Sequence, residues 1–306
     1  MTGRPITVAG EALVDVVQDQ QAREVPGGSP ANVALGLARL GAPVEFATWL
    51  GDDARGHRIA DHLRASGVRL VDDVFRATRT SSAVVRLAPD GQPRYEFDIE
   101  WDLPALPQTP RWLHVGSIGA FLEPGARQVA ELARRTAAAG GTVSFDPNIR
   151  PALLGSAADE RVVFERLAAI ADVVKLSDED AAWLYPGLPE DTVLDRLLAI
   201  GVQIAALTTG AAGSLLATST HRVSVPGERV DVIDTVGAGD SYMATLIWQL
   251  QHHGGTFGPI SRSMLTELGR VSTRAAAITV TRPGADLPSV DDLVPAGTEP
   301  ETVTSR

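Results

Sequence analysis

Segment 234–240, with the sequence DTVGAGD, constrains the fold and chemistry of this chain more than any other segment. The apolar residues Val230, Val232 and Ile233 before it predict the end of a strand. The unbroken run 242–248 after it predicts a buried helix. Glycines at such a turn let the backbone approach a ligand, and the N–H groups of the first helical turn favour an anion. The segment therefore predicts an anion site made by backbone amides.

Asp240 ends this segment, although a carboxylate repels a bound phosphate. The residue has a purpose if it takes a proton from an alcohol that attacks phosphorus. The alternative is an aspartate that is merely stabilised by the positive end of a helix. A dinucleotide-binding fingerprint would need glycine in place of Tyr242, and a P-loop would need a Gly-Lys-Ser/Thr triplet that the sequence lacks.

The composition narrows the class of protein. The 306 residues suffice for one large α/β domain or two ordinary domains, and 44% of them are hydrophobic. A net charge of −11 without a basic stripe argues against a nucleic-acid partner. The chain has no cysteine, which excludes disulfides and fits a reducing cytoplasm. No segment approaches the roughly 20 apolar residues of a membrane span. We therefore expect a cytoplasmic protein without a membrane partner.

Short apolar runs alternate with helical patterns along most of the chain, which predicts a mainly parallel α/β sheet with helices on both faces. The predicted strands are 6–9, 44–48, 112–115, 142–145, 173–176 and 204–208. The predicted helices are 31–40, 57–66, 125–139, 160–171 and 191–199. Ligands bind such sheets beyond the carboxyl ends of the strands, where we expect segments 146–150 and 237–240 to lie.

Two regions interrupt this alternation and predict hairpins. Residues 13–17 followed by a polar stretch to Val25 form the first, and segments 82–88 and 94–99 around a Pro-Asp-Gly turn form the second. We expect them to build a small β lid that folds over the site and excludes water. An ordinary solvent-facing flap is the alternative.

A second glycine-rich segment, 26–32, predicts the start of a helix, with Ser29 as the N-cap and Pro30 at the first helical position. Asn32 would present its amide to a polyhydroxylated ligand. Asp15 follows the first strand, and an aspartate there can accept two hydroxyl hydrogen bonds from a sugar. Taken singly, each of these residues also has an ordinary structural explanation.

These motifs together resemble a known family. Segment 27–34 (GGSPANVA), with Gly41 and Gly51 behind it, resembles the N-terminal signature of the ribokinase-like (PfkB) carbohydrate kinases. Segment 234–240 resembles their C-terminal signature, and the similarity spans nearly the whole chain. Within the family, segments 10–15 and 146–151 are most similar to fructokinases.

The resemblance implies one α/β kinase domain over 1–306, with lid segments at about 12–26 and 80–102. It implies transfer of the γ-phosphate of ATP to a hydroxyl of a small neutral sugar, fructose foremost, with Asp240 as general base. The implied anion hole is the backbone of Gly237, Ala238 and Gly239. The implied sugar-binding residues are Asp15, Gly27, Gly28, Asn32, Asn148 and Arg150. The implied nucleotide-binding residues are Thr208, Gly210, Gly213 and Gly239.

The resemblance also implies Mg²⁺, a monovalent cation such as K⁺, and a homodimer paired through the lid strands. The Asn-x-x-Glu motif that organises Mg²⁺ in the family appears here as Ser177 to Asp180, which leaves Asp180 to hold the ion through water. Asp234 and the carbonyl of Val236 would bind the monovalent cation. One lysine position, Lys175, ends a buried strand, and we expect its ammonium to snorkel to solvent.

Other functions remain open at this stage. A kinase for another sugar or a nucleoside, such as ribose, ketodeoxygluconate or adenosine, shares the same motifs. Asp98, Glu100 and Asp102 in the lid segment disfavour an acidic sugar, because they would repel its carboxylate. A catalytically silent sugar sensor is a second alternative, but it would not need Asp240.

Overall fold

The computed structural model describes residues 4–17, 23–87, 93–253 and 259–293. Its strands are β1 Ile6–Ala9, β2 Leu13–Val17, β3 Arg23–Gly27, β4 Val44–Ala47, β5 Leu50–Gly51, β6 Arg69–Leu70, β7 Phe75–Ala77, β8 Ser82–Leu87, β9 Pro93–Asp98, β10 Trp112–Gly116, β11 Thr142–Asp146, β12 Val173–Ser177, β13 Ile204–Thr208, β14 Gly213–Ala217 and β15 Arg222–Pro226. Its α-helices are α1 Ser29–Arg39, α2 Ala54–Ala65, α3 Gly125–Ala138, α4 Ala157–Ala168, α5 Asp178–Leu184, α6 Glu190–Ala199, α7 Ala238–His252, α8 Arg262–Val280 and α9 Val290–Leu293.

The central sheet has the strand order β15-β14-β13-β12-β11-β10-β1-β4-β6. Every pair from β13 to β6 is parallel, and the two strands at the other end pair antiparallel. All residues of β1, β10 and β11 are buried, because helices cover both faces of the sheet. The predicted mainly parallel α/β fold is confirmed.

The register of the parallel strands aligns their carboxyl ends along one edge of the sheet. Gly116 lies opposite Asp146, and Ser177 lies opposite Thr208. The chain leaves β1 at the same edge, immediately before Gly10 and Glu11. Residues that follow these strands therefore come together in space although they are far apart in sequence.

The two predicted hairpins form one small sheet with the order β3-β2-β8-β9. Strands β2 and β3 pair antiparallel, with Asp15 opposite Val25, and β8 and β9 do the same. The parallel pair β2–β8 joins the hairpins. The Pro-Asp-Gly turn of the second hairpin lies outside the described residues. We call this unit the small sheet.

The small sheet is fastened to the central domain by ion pairs. Glu24 of β3 accepts hydrogen bonds from Arg55 and Arg58 of α2. Asp98 at the end of β9 pairs with Arg79, which precedes β8. Water and salt weaken such solvent-accessible pairs, so they orient the sheet without locking it.

The predicted strand end before segment 234–240 is wrong. Residues 227–237 form an irregular segment, and the side chains of Val232 and Ile233 are 61% and 66% exposed. The backbone N–H of Ile233 donates to the carbonyl of Val280 at 2.8 Å, so the segment follows the end of α8 and joins no sheet. The helix after it, α7, is buried as predicted.

In the described part of the chain, no helix is both long enough and apolar enough to cross a membrane.

Candidate active site

Helix α7 begins in the DTVGAGD segment, at the carboxyl edge of the sheet, and its first residues Ala238 and Gly239 are half-buried. Gly237 is the N-cap, with φ of 79°, a left-handed conformation that favours glycine. A side chain at Gly237 would also lie 2.8 Å from the Cβ atom of Ala285. Both the backbone angle and the lack of space explain why this position is glycine.

Asp240 lies in the first turn of α7, with 6% of its surface exposed. Its Oδ1 atom accepts a hydrogen bond of 2.6 Å from the hydroxyl of Ser29, and its Oδ2 atom accepts one of 2.8 Å from Nδ2 of Asn32. The two glycine-rich motifs, more than 200 residues apart in sequence, therefore meet at this carboxylate. A carboxylate offers about four acceptor positions, so a further hydroxyl can still bind it.

Helix α1 starts one residue earlier than predicted, and the assignment of Ser29 as N-cap is wrong. Gly28 is the N-cap, with φ of 103°, and Ser29 already belongs to the helix. A Cβ atom at Gly28 would lie 2.8 Å from the carbonyl oxygen of Glu11, so the backbone passes too close for a side chain. The hydroxyl of Ser29 is then free of capping and donates to Asp240 instead. The sequence pattern missed this role, although the Ser lay within the motif.

Asp15 lies beside the same carboxylate. A side chain at Gly27 would lie 2.1 Å from Oδ2 of Asp15, so the glycine gives the aspartate its place. Burial raises the pKa of Asp15 to about 6; the charge of Arg150 opposes this rise and the charge of Asp240 adds to it. The structure therefore brings Asp15, Gly27, Arg150 and Asp240 into one electrostatic neighbourhood.

Glu11 is a further acidic residue of this region, which sequence reasoning used only as part of a motif. It is 2% exposed, and its Oε2 atom accepts a 2.8 Å hydrogen bond from the backbone N–H of Gly119. Burial raises the pKa of Glu11 to about 7, against hydrogen bonds from Gly119 and Ser117 and the charge of Arg150. Glu11 thus joins the loop after β1 to the turn after β10.

Segment 146–150 follows β11 at the expected edge of the sheet. Asn148 has φ of 37°, and its Oδ1 atom accepts a 2.6 Å hydrogen bond from Nη1 of Arg150. Arg150 is exposed, yet its charge acts on both Glu11 and Asp15. The guanidinium therefore lies near both of these carboxylates.

Lys175 does not snorkel to solvent, so that expectation is wrong. The residue is 3% exposed, and its Nζ atom donates a 2.9 Å hydrogen bond to Oδ2 of Asp146, which is fully buried. Burial alone would lower the pKa of Lys175, but the charges of Asp146, Asp180 and Asp240 outweigh it and raise the pKa. Burial raises the pKa of Asp146, and the charge of Lys175 and its hydrogen bond oppose that rise.

Three of the predicted nucleotide-binding residues, Thr208, Gly210 and Gly213, lie at the turn between β13 and β14, whereas Gly239 lies in the first turn of α7. Gly210 and Gly213 have φ of 53° and 109°, and a side chain at Gly213 would lie 2.1 Å from the carbonyl oxygen of Val225. The hydroxyl of Tyr242 donates to Ser214 at 3.1 Å, which ties this turn to α7. Thr208, at the end of β13, lies at the same edge as Ser177.

The residues predicted to organise cations already have backbone partners. The carboxylate of Asp180 accepts bonds from the backbone N–H groups of Ile149 and Ser177 and from the Ser177 hydroxyl. Asp234 accepts bonds from the N–H groups of Val236 and Gly284. Within the described residues, no three His, Cys, Asp or Glu side chains group as metal ligands.

A comparison with family profiles matches residues 6–292 to the pfkB family carbohydrate kinase. The chain belongs to the pfkB family of carbohydrate kinases. It is 33% identical over 314 residues to a fructokinase from Klebsiella pneumoniae, covering 96% of this chain and 99% of the relative. This pfkB kinase is thus an ATP-dependent carbohydrate kinase, similar to fructokinases along nearly its whole length.

Two solved structures have the same fold. A fructokinase with bound ATP from Xylella fastidiosa superposes with a TM-score of 0.82 at 28% identity, covering 94% of this chain and 96% of that one. A fructokinase double mutant from Vibrio cholerae O395, with fructose, ADP and potassium ion bound, has a TM-score of 0.82 at 28% identity. It covers 96% of this chain and 98% of that one.

Proposed function

We propose that Asp240 is the general base of this sugar kinase and that the amides of Gly237, Ala238 and Gly239 form the anion hole. The observation that carries this proposal is the pair of hydrogen bonds from Ser29 and Asn32 to Asp240. They hold the carboxylate at the first turn of α7, next to the amides that would stabilise the phosphoryl group.

The reaction balances with these groups. Asp240 takes the proton of a sugar hydroxyl as the hydroxyl oxygen forms its bond to the γ-phosphorus of ATP. The bond from that phosphorus to the β,γ-bridging oxygen breaks, and ADP leaves. The sugar phosphate carries the new ester, and the proton passes from Asp240 to solvent when the product leaves.

We propose fructose as the sugar, held by Asp15, Asn32, Asn148 and Arg150 against the backbone of Gly27 and Gly28. The fructose-bound structure from Vibrio cholerae and the Klebsiella relative support this choice. The pKa of Asp15, although raised to about 6, is still below 7, so at pH 7 Asp15 is mainly a carboxylate that can accept two hydroxyl hydrogen bonds. A neutral sugar suits the site, because the carboxylates of Asp15 and Asp240 would repel an acidic one.

ATP would bind along the turn of Thr208, Gly210 and Gly213, with its phosphates toward Gly239. When bound, Mg²⁺ supplies charge compensation for the phosphates, and Asp180 is the carboxylate we assign to it through water. The ADP- and potassium-bound relative supports a monovalent cation at Asp234 and the Val236 carbonyl. Both assignments agree with an acidic site that needs cations before it can accept ATP.

The small sheet would act as the lid of a single kinase domain over 1–306. A closed lid keeps water from Asp240, where water would otherwise react with ATP in place of the sugar. Strands β3 and β9 are the outer strands of this sheet, and we propose a homodimer that pairs through the lid strands. Sedimentation velocity at assay concentrations tests the proposed dimer. A monomer would contradict the dimer but not the proposed lid.

A screen of ADP release tests the proposed substrate. Fructose, tagatose, ribose, ketodeoxygluconate and adenosine are compared at equal concentration with MgATP, and Asp240→Asn is run as the matched control. We expect fructose to give the highest kcat/KM. A maximum with ribose or adenosine would reassign the substrate, and no ADP release above that of Asp240→Asn with any of the five would favour the sugar sensor.

A further inference from the structure

The sequence contains a single lysine, Lys175, among 27 basic residues, and all the others are arginines. The chain therefore uses arginine wherever a surface cation suffices. The one ammonium group lies in the interior, 3% exposed, at the carboxyl edge of the central sheet. Such a placement needs a reason that arginine cannot satisfy.

The ammonium touches the first turn of α7 from inside the protein. A Cβ atom added at Gly239 would lie 2.9 Å from Nζ of Lys175 and 3.9 Å from its Cε. Nζ therefore packs directly against the backbone of Gly239. This glycine lies between Ala238 and Asp240, two residues that the proposed reaction would use. The glycine leaves the space that the ammonium occupies. A planar guanidinium is wider than an ammonium, which is a compact point charge on a flexible stem.

The charges of Asp146, Asp180 and Asp240 favour the ammonium at this position, whereas the adjacent helix end and burial oppose it. The amino end of a helix carries a partial positive charge, so a cation beside it is repelled. Burying an ion pair also costs free energy of desolvation, and apolar residues often replace such pairs without loss of stability. Asp146 offsets the cost by pairing with Nζ at 2.9 Å. Stability alone therefore gives a weak account of the pair.

We propose that Lys175 is a positioning residue of the anion hole, an inference that rests on the proposed function of Gly237–Asp240. Its ammonium adds fixed positive charge behind Gly239 and so strengthens the hold of the α7 amides on the phosphoryl group during transfer. Asp146 keeps the ammonium against Gly239 and prevents it from turning to Asp240, whose carboxylate must stay available as the base.

The single lysine makes the proposal directly measurable by NMR. Protein grown with lysine labelled at Cε and Nζ should give one side-chain signal. The signal is recorded without nucleotide, with MgADP, and with MgADP, fructose and aluminium fluoride, which imitates the phosphoryl group in transfer. We expect a small shift with MgADP and a larger one with aluminium fluoride. Equal positions in the last two states would overturn the proposal.

Variants then separate a catalytic contribution from a structural one. Lys175→Met leaves the Asp146 carboxylate buried without its cation, so it should lower the melting temperature. The double variant Lys175→Met/Asp146→Asn removes both charges and should recover the melting temperature. If the ammonium serves the anion hole, the double variant still loses at least about tenfold in kcat, with the KM for fructose within about twofold.

The outcomes distinguish this inference from the proposed function. Wild-type kcat in the double variant, with Asp240→Asn inactive, would refute the role of Lys175 and leave the proposed base in place. Full activity of Asp240→Asn would refute the proposed function itself. If the variants do not fold, the NMR titration of the unmodified protein decides.

Discussion

Replacing Glu11 by glutamine should change how the stability of this kinase depends on pH. Burial raises the pKa of Glu11 from 4.5 to about 7 in the folded chain. The folded state therefore holds a proton on Glu11 that the unfolded state loses above pH 4.5. The stability that this proton contributes is fully present below pH 4.5 and is lost as pH rises through about 7.

The size of the effect follows from the same shift. A change of roughly 2.5 pKa units, at about 1.4 kcal/mol each, corresponds to about 3 kcal/mol of unfolding free energy between pH 4.5 and pH 8.5. The glutamine side chain would carry no charge at either pH, and its amide oxygen could still accept from the backbone N–H of Gly119. Glu11→Gln should thus gain about 2–3 kcal/mol on the wild type at pH 8.5, relative to their difference at pH 5.

Urea unfolding at pH 5, 6, 7 and 8.5 measures this difference. The exposed Glu190→Gln serves as the matched control, because it removes the same charge from the surface. A Glu11→Gln curve that runs parallel to the wild-type curve across this range would refute the reasoning. The reasoning would also be refuted if Glu190→Gln changed the pH dependence of stability as much as Glu11→Gln does.

Three further predictions concern turnover. Ser29→Ala removes the 2.6 Å hydrogen bond to Asp240 Oδ1, a charge-assisted bond worth about 1.5–3 kcal/mol. The variant should lower kcat by about tenfold with little change in melting temperature. An unchanged kcat in steady-state assays would contradict this prediction. The KM for fructose should rise as pH falls below about 6, where Asp15 becomes protonated. The variant Asp15→Asn should have a high KM that does not depend on pH in this way. A wild-type KM that stays constant from pH 7.5 to 5 would be inconsistent with Asp15 as a sugar ligand. Glu24→Gln weakens the contact between the small sheet and Arg55, so ADP release without sugar should increase. The free energy of unfolding should change by less than about 1 kcal/mol. ADP release equal to that of the wild type would show that the Glu24–Arg55 pair does not restrain the lid.

The alternation of strands and helices predicted six of the nine strands of the central sheet, because a sheet buried on both faces requires continuous apolar strands. It did not predict β6, β14 or β15. The pairing of residues 13–17 with 23–27 and of 82–87 with 93–98 was also predictable from turns and alternation. Val230 to Ile233 misled the prediction, because an exposed loop with apolar side chains has the same local pattern as a strand.

The site was predictable to the level of its motifs and no further. Asp240 and Asn32 stood in recognisable signatures, but their hydrogen bond depends on how α1 and α7 pack across the sheet. Ser29 was assigned a local capping role because its tertiary partner is 211 residues away. The ammonium of Lys175 was predicted to reach solvent, because nothing in the local sequence indicates that it packs between Asp146 and Gly239.

The central claim is that Asp240 accepts the proton of the sugar hydroxyl, and the turnover of Asp240→Asn tests it most directly. Asparagine keeps the shape of the side chain and removes its basicity. We expect kcat to fall at least about 100-fold while the affinity for fructose, measured by calorimetry, stays within a few-fold of wild type. A folded Asp240→Asn protein that turns over at a near-normal rate would contradict the account.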